Sequence, residues 1–221
     1  MADPVIAVRI KLCGLTRPDE ARACALAGAD WIGLNFHPAS PRRVDLAAAA
    51  EIVAALPPSA EAVGLFVDRP PGEVAELAAR LGLKVVQLHG REPPEDVLAL
   101  RALRVVRAFR LGDAEAIARM GRYLRRCDEL GQAPEAVLAD AFVAGQAGGT
   151  GRTIAAGVLA LLPPLPRLIL AGGLTPENVA ESVARARPWM VDVASGVESS
   201  PGRKDTARFA AFVRAARGGP S

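Results

Sequence analysis

Two apolar patterns take turns along this chain. Short runs rich in Val, Ile and Leu, four to eight residues long, read as strands. Between them lie longer stretches where Ala and Leu recur at helical spacing among Arg, Asp and Glu. The strands are expected at Val5–Leu12, Trp31–Phe36, Ala62–Val67 and Lys84–Leu88, then Arg104–Phe109, Ala136–Asp140, Arg167–Leu170 and Met190–Ala194. Helices are expected after each, at Arg17–Ala27, Asp45–Leu56, Gly72–Leu81, Pro93–Ala102, Asp113–Arg126, Ile154–Leu162, Pro176–Arg187 and Lys204–Arg217. Pro18 near a first turn and Gly28 as a stop mark the first helix.

Strands alternating with helices imply a parallel sheet. Eight such units fit a closed barrel or a doubly wound open sheet. The count favours closure, and Cys13-Gly14-Leu15-Thr16 after the first strand is not a dinucleotide-binding GxGxxG. No linker-like break separates the units. The expectation is α/β, a single (β/α)8 TIM barrel over residues 1–221.

Composition sharpens this picture in a few places. Hydrophobic residues make up 51% but aromatics only 4%, so the core must be built from Ala, Val, Leu and Ile. Three cysteines, Cys13, Cys24 and Cys127, have no metal-site spacing and argue against a disulfide scaffold. No apolar run is long enough to span a bilayer, and Met1-Ala2-Asp3-Pro4 lacks signal-peptide character, so cytoplasm is the expected compartment. The formal net charge of +3 is spread along helices rather than gathered in a stripe with stacking aromatics. Even the densest group, Arg122, Arg125 and Arg126, has the spacing of a solvated helix face. Nucleic acid and membrane are therefore not expected partners.

Barrel active sites lie at the C-terminal ends of the strands. Polar and Gly-rich segments gather there in this chain. Gly148-Gly149-Thr150-Gly151 follows the sixth strand, Gly172-Gly173 the seventh, and Ser195-Gly196 the eighth. Glycine lets backbone N–H groups approach an anion closely, so these loops are expected to bind one phosphate through Gly149, Thr150, Gly172, Gly173, Ser195 and Gly196. The segment after the third strand, Asp68-Arg69-Pro70-Pro71-Gly72, is not their equal, which argues against a second phosphate.

Cys13 ends the first strand and shares parity with Lys11, so both side chains should face the barrel interior. A nearby ammonium would favour the thiolate. Asp140 ends the sixth strand, roughly across the mouth, so Cys13 and Asp140 can flank a bound sugar as proton acceptor and donor. Cys24 and Cys127, on helical stretches, read as inert apolar residues. Asp192 either pairs with Lys11 or touches the ligand. Arg42 and Arg43 follow Ser40-Pro41, where a guanidinium can clamp a carboxylate. His37 and His89 stand near the mouth as lining or hydrogen-bonding groups, and no metal-ligand spacing accompanies them.

With these motifs in order, the chain resembles the phosphoribosylanthranilate isomerases of tryptophan biosynthesis over nearly its whole length. The resemblance rests on Lys11-Leu12-Cys13-Gly14-Leu15-Thr16, Gly33-Leu34-Asn35-Phe36, Ser40-Pro41-Arg42 and Val86-Gln87-Leu88-His89-Gly90. It continues through Gly148-Gly149-Thr150-Gly151, Gly172-Gly173-Leu174-Thr175-Pro176-Glu177-Asn178, Ser195-Gly196-Val197-Glu198 and Pro201-Gly202-Arg203-Lys204-Asp205. It implies a cofactor-free Amadori rearrangement, with Cys13 as general base at the sugar C2′ and Asp140 as general acid at the ring oxygen. It also implies Arg42 against the anthranilate carboxylate and the three Gly-rich loops around the phosphate; Asp192 and His89 are expected beside the substrate from their places at the strand ends. Monomer and homodimer both remain open. The chain departs from the family where Ile154-Ala155-Ala156 replaces a usual Phe-Asp-Trp, which bears on the docking of the sixth helix. Two rival readings are the histidine-pathway sugar isomerase, which pairs two aspartates and grips two phosphates, and a non-catalytic phosphosugar-binding barrel.

Overall fold

The computed structural model describes residues 7–141, 153–165 and 167–218. Eight parallel strands close into a barrel in sequence order. They are β1 (Arg9–Cys13), β2 (Trp31–Asn35), β3 (Glu61–Phe66), β4 (Val85–Leu88), β5 (Arg104–Leu111), β6 (Ala136–Ala141), β7 (Leu168–Leu170) and β8 (Met190–Val193). Pairing of β1 with β8, Lys11 opposite Asp192, completes the ring.

The alternation of side chains along each strand divides the core in two. One set fills the barrel: Trp31, Val63, Val85, Val106, Leu138, Ile169 and Met190 are its larger members. The other set faces outward and meets the apolar stripes of the surrounding helices. Branched aliphatics do the filling, as the low aromatic content required. Both tryptophans, Trp31 and Trp189, stack edge to face with centroids 5.5 Å apart, with the Arg9 guanidinium over each. Arg9 and Trp31 begin their strands and Trp189 precedes β8, so this cluster plugs the end of the barrel opposite the strand C-termini.

The helices start where local chemistry dictates. Asp45 caps α2 (Leu46–Ala55) by accepting from the Ala48 N–H at 2.9 Å. Asp113 does the same for α5 (Ala114–Glu129), accepting from Ala116 N–H at 2.7 Å. Pro18 opens α1 (Pro18–Leu26). Along α5, Arg126 meets Glu95 and Glu129 at 3.2 and 3.1 Å on an exposed face, as its helical spacing implied.

Two elements differ from expectation. The sixth helix is one short turn, α6 (Ala156–Leu159), with no buried residue of its own. Ile154, just before it, is buried instead and supplies the docking contact. Lys204 does not open the last helix. A small antiparallel hairpin, β9 (Glu198–Ser200) with β10 (Arg203–Lys204), intervenes before α8 (Thr206–Ala216). Asp205 caps α8 through the Arg208 N–H at 2.9 Å, which sets the helix start two residues later and leaves Lys204 free to turn inward.

Candidate active site

The strand C-termini surround a cavity of about 380 Å³. Cys13 and Asp140 both line it, from β1 and from β6, together with Arg42, His89, Asp192, Gly172, Gly173, Ser195 and Gly196. Sequence parity thus brings nearly all the expected residues to one place. Arg43 is exposed and does not line this cavity. Gly149 and Thr150, with the rest of Gly148–Gly151, lie outside the described residues.

Beneath the cavity floor, Lys11 is fully buried and donates to Asp192 Oδ2 at 2.8 Å. Of the two roles open to Asp192, the ion pair is therefore realised. Asp192 also reaches the cavity wall, and its Oδ1 is buried without a partner among the described residues. Burial alone would lower the Lys11 ammonium, but Asp192 and the adjacent Cys13 outweigh it and hold the charge on.

Cys13 departs from expectation in its electrostatics. The thiol is pushed up, first by burial, with the Asp192 carboxylate adding to it. Lys11 and Lys204 pull the other way and do not prevail. The reason is that Lys11 is shared: its charge is already answered by Asp192, so little is left to counter desolvation of a thiolate. Cys24 and Cys127 are also buried, and their thiols are pushed up to about 11.

Arg42 is not a loose loop arginine. Its Nε and Nη2 donate to the two oxygens of Glu198, each at 2.7 Å. Glu198 Oε1 also accepts from Lys204 Nζ at 2.7 Å. Burial works against the Glu198 carboxylate, yet Arg42 and Lys204 together hold it below the usual range. Lys204 further donates to the Cys13 carbonyl at 2.7 Å and the Ala194 carbonyl at 3.2 Å. One buried ammonium therefore ties together the ends of β1 and β8 and, through Glu198, the loop carrying Arg42. Sequence reading named Glu198 and Lys204 only as parts of motifs. Their signal was a lone Glu and Lys flanking the predicted end of the barrel, too common a pattern to single out.

The glycine loops have steric reasons for their residues. Gly172 has a φ of +85°, and a Cβ there would lie 2.4 Å from the Ala141 nitrogen and 2.8 Å from Asp140 Oδ1. At Gly196 a Cβ would lie 1.8 Å from the Leu174 carbonyl oxygen. The loops after β7 and β8 thus pack backbone against backbone. Asn178 braces the first of them, accepting from Thr175 N–H at 2.8 Å and donating to the Gly173 carbonyl at 2.9 Å.

Three further residues line the same cavity without having been singled out. Asn35 accepts from the His37 N–H at 2.9 Å and donates to Ser40 Oγ at 3.1 Å, shaping the Arg42 loop. Arg110 lies opposite Asp140 in the β5–β6 register. Gln87 is fully buried and faces inward from β4. His37 also lines the cavity, as expected of it.

A buried thiol and a half-buried carboxyl share a cavity at the barrel mouth, with an arginine and backbone loops beside them. Residues 10–215 match the family model described as N-(5'phosphoribosyl)anthranilate (PRA) isomerase. The chain is 46% identical over 211 residues to the N-(5'-phosphoribosyl)anthranilate isomerase of Geobacter sulfurreducens, covering 96% of this chain and 99% of the relative. It is similar to the crystal structure of phosphoribosyl anthranilate isomerase from Thermotoga maritima, with a TM-score of 0.84, 31% identity and coverage of 96% and 99%. It is also similar to such an isomerase solved in complex with reduced 1-(o-carboxyphenylamino)-1-deoxyribulose 5-phosphate, with a TM-score of 0.80, 32% identity and the same coverage.

Proposed function

The chain belongs to the N-(5'-phosphoribosyl)anthranilate isomerase family, and from that premise we propose that Cys13 and Asp140 are the base and acid of its reaction. The reaction is the rearrangement of N-(5'-phosphoribosyl)anthranilate to 1-(2-carboxyphenylamino)-1-deoxyribulose 5-phosphate in tryptophan biosynthesis. Asp140 gives a proton to the ribose ring oxygen as the C1′–O bond breaks, leaving an iminium at C1′. Cys13 then removes the C2′ proton. The resulting enol collapses to the ketone, and no electrons leave the substrate. Both groups line one cavity, where a fixed acid and base each contribute about 10²–10⁴-fold.

The observation that supports this reading is the shared cavity. Cys13 enters it from β1 and Asp140 from β6, with the loops after β7 and β8 alongside. Those loops, Gly172-Gly173 and Ser195-Gly196, hold the phosphate, together with Gly149 and Thr150. Arg42, aimed by Glu198, meets the aryl carboxylate. Three free cysteines accord with a cytoplasmic setting.

The test is turnover of freshly made phosphoribosylanthranilate, followed by loss of its fluorescence. Cys13→Ser and Asp140→Asn should each lower kcat by at least roughly 10²-fold, with KM changed much less and far-UV circular dichroism unaltered. Serine is too weakly acidic to replace the thiolate, and the asparagine amide is far too weak an acid to replace the carboxyl. Near-normal kcat in either variant refutes the assignment of that residue.

A further inference from the structure

A fully buried glutamine needs a reason to be there. Gln87 sits inside the barrel on β4, its neighbours in register being Leu65 on β3 and Val106 on β5. Burying an amide costs free energy unless its groups are hydrogen-bonded. Among the described residues the Gln87 side chain makes a single hydrogen bond: Nε2 lies 2.7 Å from His89 Nδ1. Oε1 is buried without a partner among those residues. An apolar residue would fill this position at lower cost, so the amide is best explained by what it does to the imidazole.

The ring nitrogen that faces an amide N–H must carry the lone pair, because both of the amide nitrogen's hydrogens are donors. Nδ1 is then the acceptor, and in the neutral ring the proton resides on Nε2. That nitrogen lies 3.4 Å from Asp140 Oδ2. Gln87, His89 and Asp140 thus form a line from the barrel interior to the cavity.

We propose that Gln87 and His89 are positioning residues for the acid, Gln87 fixing the Nε2–H tautomer so that His89 presents a donor to Asp140. The proposal rests on the reading of Asp140 as general acid. As Asp140 hands its proton to the ring oxygen, a carboxylate forms beside the Nε2–H. The 3.4 Å separation shortens as that charge grows, so the contact is stronger in the transition state than before it. The other tautomer would do the opposite. A lone pair on Nε2 would repel the new carboxylate, or accept the acid's proton and withhold it from substrate.

The chain has only two histidines, His37 and His89, so ring ¹⁵N spectra of the intact protein contain two imidazoles. His37→Asn assigns them. At alkaline pH, where imidazole is uncharged, His89 should show the Nε2–H pattern. Gln87→Leu should mix its tautomers and lower kcat by about 10–100-fold, by analogy with partners that orient metal-bound histidines. KM should stay within about 3-fold. Gln87→Glu, of nearly the same shape, should move the proton to Nδ1, facing the new carboxylate, and lower kcat likewise. An Nδ1–H pattern in the unaltered protein overturns the proposal. So does a Gln87→Leu protein that loses rate while its His89 tautomer is unchanged, since that is a packing effect. Asp140→Asn separates the two readings. If Asp140→Asn turns over normally, the acid assignment fails and the proposal with it. If Asp140→Asn is inactive while Gln87→Leu loses its tautomer but not its rate, only the proposal fails.

Discussion

Replacing Glu198 with glutamine tests how the carboxylate-binding loop is held. Glu198 is the anion between two cations: two 2.7 Å bonds from Arg42 and one of 2.7 Å from Lys204. Side-chain exposure is 4% for Glu198, 0% for Lys204 and 21% for Arg42. Glutamine keeps the shape but removes the charge, and one of its arms turns a donor toward donors. The buried Lys204 ammonium and the partly exposed Arg42 guanidinium are then left without their anion. Removing one partner of a buried pair costs about 3–5 kcal/mol, and the partial exposure of Arg42 places Glu198→Gln near the lower end, about 3 kcal/mol. For a chain of this size each kcal/mol moves Tm by about 2–4 °C, so Tm should fall by about 6–12 °C.

The sign of the pH dependence provides a second check. Glu198 is held below the usual carboxylate range in the folded protein. Its contribution is therefore fully present above the unfolded value of about 4.3, and is lost as pH falls through the lower folded value. The Tm gap between the unaltered protein and Glu198→Gln should be widest near neutrality and should close in acid. Adding Lys204→Met should recover part of the loss, because it removes one of the two stranded cations. In activity, KM should rise more than kcat falls, since Arg42 loses its clamp. Differential scanning calorimetry or thermal circular dichroism measures the first effects. Equal Tm values at neutral pH, or a gap that persists unchanged into acid, would refute the network argument.

Two further outcomes follow from the same geometry. Because burial pushes the Cys13 thiol up despite Lys11 and Lys204, the acidic limb of kcat/KM should have its midpoint above the ordinary thiol value of about 8.5; a midpoint below that value would show that the ammonium groups win over desolvation. Gly196→Ala would place a methyl 1.8 Å from the Leu174 carbonyl oxygen, so the loops after β7 and β8 must separate; competitive inhibition by inorganic phosphate should weaken by at least roughly 10-fold, about 1.4 kcal/mol, and an unchanged inhibition constant would remove this loop from the phosphate site.

Much of this protein was legible in its order of residues, because the governing rules are local. Short apolar runs against apolar residues at helical spacing marked the strands and helices, and the repetition of eight units implied closure. Parity put Lys11 and Cys13 on the inner face. Glycines after strand ends marked loops where backbone comes close to a neighbour, but only the structure shows that at Gly172 and Gly196 the neighbour is other backbone. The limits appear where partners are far apart in sequence. Arg42 and Glu198 are 156 residues apart, and nothing along the chain says that a loop after β2 meets a hairpin after β8. Gln87 was hidden in an apolar run, where its polarity shows but its single bond to His89 does not. The hairpin that diverts Lys204 inward is too short for a periodic signal. The Cys13 thiol is the clearest case. Sequence gave it a neighbouring ammonium, and that neighbour is real. The direction of its shift, however, depends on how deeply it is buried and on Asp192 having claimed Lys11, both of which are settled only when β8 closes against β1. Local pattern determines which side chains face the barrel interior, whereas the balance between desolvation and charge there is a sum over all the strands at once.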